Sequence, residues 1–267
     1  MNSKLENKST DDLIQLSLTE SNDRLQSEYI VTLQYRATIE VLNGAERLCK
    51  SNNIKNQEIG IRILGQLGIP ERAFPNECLD ILLQLWQTET NSDILCDVGI
   101  ALGHLGDSKA IASLVKYKNH SHADVRYGVV SGLLGQENSQ AVEALVELSG
   151  DIDEDVRNWA TFGLGSQIEI DTDKIREALW QRLLKEPRDT EISHEIYGEA
   201  LVGLAIRKDR RVIKPLLAEL QSNCVGVLAV EAAEEIGDRR LYNALIELKE
   251  WWDCDLDMLD RAIENCC

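Results

Sequence analysis

The side chains most able to do chemistry sit in a few short constellations. His120-Ser-His122 is the one close histidine pair in the chain. Zinc takes three or four ligands in a tetrahedron, and no further Cys or His lies near this pair in sequence. We read both imidazoles as polar residues of the turn before Asp124, and give His104 and His194, each alone, no metal role. Cys266-Cys267 offers vicinal thiols that could hold a metal or meet an electrophile. A reactive thiolate needs nearby positive charge, whereas Asp257, Asp260 and Glu264 surround this pair, so a frayed terminus is expected. There is no Cys-x-x-Cys, serine-nucleophile motif, phosphate loop or dinucleotide fingerprint. The expectation is a protein with no catalytic residues, no metal and no cofactor.

Carboxylates and aromatics remain. Glu191, Glu195 and Glu199 follow one another at i, i+4 spacing, which stacks three like charges on one helix face. Each step costs about a few tenths of a kcal/mol, so the row is either a solvated face or one that something uses. The whole chain has 46 acidic and 28 basic residues in 267, a formal charge of −18. Proteins that neutralise phosphates need clustered Lys and Arg, so DNA, RNA and anionic membranes are poor partners and a basic protein surface is the natural complement. Residues 1–12 are polar with no apolar leader-like run, and no stretch approaches 18 apolar residues. Seven scattered cysteines, an odd number, fit reduced thiols and a cytoplasmic location.

These side chains need elements to carry them, and internal repetition supplies the elements. Ile63-Leu-Gly-Gln-Leu-Gly68, Ala101-Leu-Gly-His-Leu-Gly106, Val130-Ser-Gly-Leu-Leu-Gly135, Ala160-Thr-Phe-Gly-Leu-Gly165 and Ala200-Leu-Val-Gly-Leu-Ala205 are variants of one segment, with a weaker copy at Ala232-Ala-Glu-Glu-Ile-Gly237. Each closes an apolar pattern of three- and four-residue steps, and the final glycine, where present, fits a left-handed C-terminal cap. Between them runs a second signature, including Ala110-Ile-Ala-Ser-Leu-Val115, Ala141-Val-Glu-Ala-Leu-Val146, Val212-Ile-Lys-Pro-Leu-Leu217 and Leu241-Tyr-Asn-Ala-Leu-Ile246, with Ile175 and Leu179 in the equivalent place. Two amphipathic helices thus fill one period. Neither pair buries its stripe alone, and stacking makes a continuous core. Gly132, Gly163 and Gly203 would let the helices approach closely. Trp251-Trp252, in a stretch rich in acid, would seal the far end of that core.

Asp124-Val-Arg126 and Asp155-Val-Arg157, followed by Gly135 and Gly165, resemble the second helix of HEAT repeats, and Lys214-Pro-Leu-Leu217 resembles the first. The narrower likeness is to the short bacterial HEAT-like repeats of phycobilisome lyases. This implies an all-α fold: an elongated right-handed α-solenoid of about seven HEAT-like helix pairs with helical caps. The organisation expected is a polar tail and helical cap over residues 1–35, a repeat array over 36–237 and a capping repeat over 238–267. The resemblance also implies an Asp–Arg ladder that can include Asp124, Arg126, Asp155 and Arg157, although Asp97 and Tyr197 stand where two other repeats would have the arginine.

In such repeats the second helix lines the concave surface. Val125, Val129, Val156, Ala160 and Leu164 look core-facing, while Tyr127, Asn158, Trp159, Phe162, Tyr197 and Glu199 fall beside that stripe. With Glu195 they form the expected partner-binding set. A competing reading packs Trp159 and Phe162 between repeats. The function expected is a non-enzymatic protein-binding scaffold or adaptor. A bilin lyase or lyase subunit, suggested by the repeat subtype, and an immunity protein for a basic toxin stand as alternatives.

Overall fold

The computed structural model describes residues 3–267, and every regular element among them is helical. Two compact units are resolved, residues 1–133 and 134–267. The first contains α1 (Ser3–Glu6), α2 (Thr10–Thr19), α3 (Asp23–Arg36), α4 (Ile39–Cys49), α5 (Ile54–Gly65), α6 (Pro75–Thr88), α7 (Ser92–Leu105), α8 (Ile111–Leu114) and α9 (Ala123–Leu133). The second contains α10 (Ser139–Leu148), α11 (Glu154–Phe162), α12 (Asp173–Lys185), α13 (Glu191–Ile206), α14 (Ile213–Leu220), α15 (Val227–Ile236), α16 (Tyr242–Leu248) and α17 (Leu256–Asn265).

Pairing and stacking follow the repeat. Each even-numbered helix from α2 onward packs on the odd-numbered helix after it, and within each unit the odd-numbered helices stack on one another. From α4 this gives seven pairs, preceded by α2–α3. The turns are written in the sequence. Asn22, Asn53, Asn91, Asn138, Asp153, Thr172 and Thr190 each accept a backbone N–H of the helix they precede. Before three of the first helices an aspartate repeats one device: Asp107, Asp209 and Asp238 accept from the amides of Lys109, Arg211 and Arg240 at 2.9, 3.0 and 3.1 Å.

Leu, Ile, Val and Ala fill the space between the layers, with Trp86 fully buried in the first unit. Each large aliphatic side chain removed from water in this way contributes roughly 1.5–3 kcal/mol. Backbones meet where the small residues recur. A Cβ on Gly99 would lie 2.3 Å from the Gly128 carbonyl oxygen, and one on Gly203 would lie 2.6 Å from the Gly165 Cα.

Four sequence expectations change in detail. Gly106, Gly135 and Gly237 have the positive φ of a left-handed residue, but Gly165 does not. Gly165 sits in a π-helical turn, Gly163–Gln167, where a Cβ would meet the Glu199 carbonyl at 2.9 Å; its glycine serves close approach. The carbonyls freed there are taken by Arg207, whose buried guanidinium donates to Leu164, Gly165, Ile168, Ile170 and Gly203 at 2.8–3.2 Å. Cys266 is not frayed: it is buried beneath α15 with its thiol on the Ala233 carbonyl at 3.4 Å, and burial pushes it up to about 11. Of the two tryptophans, Trp252 is buried and donates to the Val225 carbonyl at 2.8 Å, whereas Trp251 is exposed. Finally, Arg126 and Arg157 turn back onto the loops leading into their own helices. They donate to the His120 and Ser121 carbonyls and to those of Asp151 and Ile152.

Charge divides unequally. Residues 1–133 hold 17 acidic and 13 basic side chains, and residues 134–267 hold 29 and 15, so the net charges are −4 and −14.

Candidate functional site

The second helices of the second unit, α11, α13 and α15, lie side by side and carry most of the expected partner-binding residues. Arg157 fixes the first of them. Besides its two loop carbonyls it pairs at 2.8 Å with the buried Glu186 carboxylate, which Arg182 approaches at 3.5 Å. With α11 held by its own loop and by the end of α12, the next residues have a set direction.

Asn158 is only 9% exposed. Its Nδ2 donates to Glu195 Oε2 at 3.0 Å, while its Oδ1 is buried with no hydrogen-bond partner. A buried acceptor left unpaired costs about 1–3 kcal/mol, which a site made only for packing would have avoided. Glu195 itself is exposed. One turn on, Glu199 is buried and accepts from Ser166 Oγ at 2.8 Å. Burial pushes its carboxyl above the ordinary range, and the charges of Glu231 and Glu195 add to that, against the Ser166 hydrogen bond. Glu231 on α15 is raised too, by burial and then by Glu235 and Glu234. No Lys or Arg comes within ion-pair distance of Glu195, Glu199 or Glu231 among the described residues. By contrast, Glu234 on the same helix is paired with Arg261 at 2.6 Å.

Trp159 is 38% exposed and meets the half-buried Phe162 edge to face, with ring centroids 5.7 Å apart. Trp159 thus reaches the surface, with Phe162 behind it. Tyr197 behaves otherwise. It is buried, with the Arg188 guanidinium 4.6 Å over its ring and Arg188 in turn bonded to Glu219 at 2.6 Å. Its expected role as an exposed anchor is thereby corrected; it forms the wall of a groove. That groove, ≈ 720 Å³, runs between the N-terminal half of α13 and the start of α15, lined by Glu191, Glu195, Gly198, Leu201, Val227 and Leu228 among others. Gly198 is required there, because a Cβ would strike Leu228 at 2.7 Å. Tyr127, the remaining member of the expected set, is half-buried on α9 of the first unit.

Sequence reasoning missed Ser166, Arg188, Glu231 and the groove. Glu231 had a signal: it precedes Ala232 as Glu199 precedes Ala200, the same place in consecutive repeats. His120 and His122 form a local turn, His120 Nδ1 accepting the His122 amide at 3.1 Å and His122 Nδ1 lying 3.1 Å from Asp124. Among the described residues no cluster of three or more metal-ligating side chains occurs, and no helix is long and apolar enough to cross a membrane.

No protein-family profile matches the chain. Protein YibA of Escherichia coli K12 is 26% identical over 239 residues, covering 87% of this chain and 82% of that one. The crystal structure of E. coli YibA superposes with a TM-score of 0.76 at 24% identity, covering 99% and 94% of the two chains. An archaeal HEAT-like repeats protein from Thermococcus onnurineus NA1 gives a TM-score of 0.51 at 17% identity, covering 96% and 98%. The fold is therefore an all-α solenoid of HEAT-like repeats. The narrower likeness to phycobilisome lyases finds no support in these relatives, and the name YibA describes no activity.

Proposed function

We propose that this helical repeat scaffold holds a protein with a basic surface on the face formed by α11, α13 and α15, and performs no chemistry on it. One observation carries the reading: among the described residues of this unit the buried carboxylates of Glu186, Asp209 and Glu219 are paired with arginine, whereas buried Glu199, half-buried Glu231 and exposed Glu195 have no cationic partner. Holding carboxylates half-desolvated and close together costs stability, and such costs persist where binding uses them. The Trp159–Phe162 edge pair beside them supplies the apolar component. Aromatic residues are the usual anchors of interfaces, and carboxylates around them steer and orient a basic partner.

The test places a photo-crosslinking residue at position 159 and, as a control, at Leu184, which is exposed on α12. Crosslinks from position 159 to a basic protein, absent from position 184, support the scaffold reading. With that partner in hand, Trp159→Ala should weaken binding roughly 30-fold, equivalent to about 2 kcal/mol, with the helical circular dichroism unchanged. Unaltered affinity would remove this face from consideration.

A further inference from the structure

We infer that the Asn158–Glu195–Glu199–Glu231 cluster is a receptor for an arginine side chain of the bound protein. This rests on the scaffold reading and makes it more specific. The cluster offers acceptors only. Glu195 has one oxygen not engaged by Asn158, Glu199 has one not engaged by Ser166, and Glu231 has no hydrogen-bond or ion-pair partner among the described residues. Acidic side chains on a helix face would by themselves say nothing. The Asn158 amide adds the second observation: it is nine-tenths buried, tied to Glu195 through Nδ2, and its Oδ1 has no donor. Glu195, to which the Asn158 amide is bonded, is itself exposed, so the cluster has a solvent-facing member through which a cation can approach.

Guanidinium fits this set better than ammonium. It carries five N–H donors in one plane, bridges two carboxylates or a carboxylate and an amide oxygen, and is weakly hydrated, so entry into a half-buried site costs it less. Its three-carbon stem also has a place. Glu195 is part of the groove wall, and Val227 and Leu228 across the groove supply apolar surface for methylenes. A lysine ammonium would satisfy the charge, but its three N–H donors do not form the planar fork that bridges a carboxylate and a neighbouring amide or carboxylate oxygen.

The discriminating experiment titrates the full chain with a nine-residue polyarginine peptide, a nine-residue polylysine peptide and free L-arginine, at about 0.15 M salt so that long-range attraction is damped. The arginine peptide should bind at least about 5-fold tighter than the lysine peptide. Asn158→Leu removes the acceptor without changing charge, and should erase that preference while lowering arginine-peptide affinity about 10-fold. Glu250→Gln removes one exposed carboxylate away from the cluster and should keep the preference. Thermal melts of each variant separate lost binding from lost fold. Equal affinity for the two peptides, or a preference that survives Asn158→Leu, overturns the arginine receptor and leaves the acidic scaffold standing on charge alone. Free L-arginine binding as tightly as the peptide overturns the macromolecular form of the proposal. Failure of both peptides to bind overturns this inference and the basic-partner reading together.

Discussion

One position in the repeat separates the two units. Four residues before Gly103 and Gly132 stand Gly99 and Gly128; four residues before Gly163 and Gly203 stand Trp159 and Glu199. In the first unit those glycines bring α7 and α9 together backbone to backbone, with no space for a Cβ. In the second unit the same turn of the helix presents an indole and a carboxylate. The units also differ by −4 against −14 in charge. A shared architecture thus devotes one register to packing in one half and to side-chain chemistry in the other. Their polar features differ accordingly. The second-helix face of the first unit has a ≈ 370 Å³ pocket lined by Gln34, Arg62, Gln66, Asp97 and His104 among others, and there Asp97 is pushed up to about 6 by burial and by Glu58.

The largest effect should come from Arg207→Leu, which orphans five carbonyls of the second unit; we expect a loss of about 4 kcal/mol in denaturant titration. Gly99→Leu should cost about 3 kcal/mol, because backbone rather than a flexible side chain stands in the way. Trp159→Ala, at the corresponding register on a half-exposed ring, should cost less than about 1 kcal/mol in the same measurement. If these last two variants melt alike, the register does not divide packing from presentation, and the comparison fails. Asp97→Asn sharpens it through pH. A carboxyl raised from 3.8 to about 6 in the fold opposes folding once it is ionised. Its favourable contribution is whole below pH 3.8 and lost as pH rises through about 6, so the amide should stabilise by about 1 kcal/mol at pH 7 and by little at pH 4. The smallest effect concerns Glu199 and Glu231, both raised. Acidification should neutralise them before the exposed carboxylates, so affinity for a basic partner begins to fall while those are still ionised, and Glu199→Gln should flatten that fall about 2-fold. A pH profile identical in wild type and Glu199→Gln would show that this carboxyl takes no part.

The fold was legible because each of its causes is local. Three- and four-residue apolar steps and glycine after several of the helices placed the pairs without any long-range knowledge. The site was legible only as a set of positions. Whether Trp159 faces water depends on what neighbouring helices leave uncovered, which helical periodicity does not encode. Tyr197 was misjudged because the residue covering it, Arg188, lies in a loop with a positive φ of 57°, and nothing in its sequence context points it at the ring. Asn158 was singled out for its place beside the core stripe, but its unpaired oxygen is a property of three-dimensional accounting alone. Gly165 was assigned a cap because caps are what terminal glycines usually make; the residues of α13 that claim it, Glu199 and Gly203, are 34 and 38 positions away in sequence.

Arg207 belongs to the α12–α13 pair, yet four of its five acceptors lie in the turn and linker that follow α11. In a linear array, where each pair touches only its neighbours, such a bond is a nearest-neighbour coupling and not part of either pair's intrinsic stability. The π-helical turn cannot open without stripping the guanidinium from α13, and α13 cannot fray at its end without releasing the turn. Amide hydrogens of residues 164–170 and of the last turn of α13 should therefore exchange through one common opening.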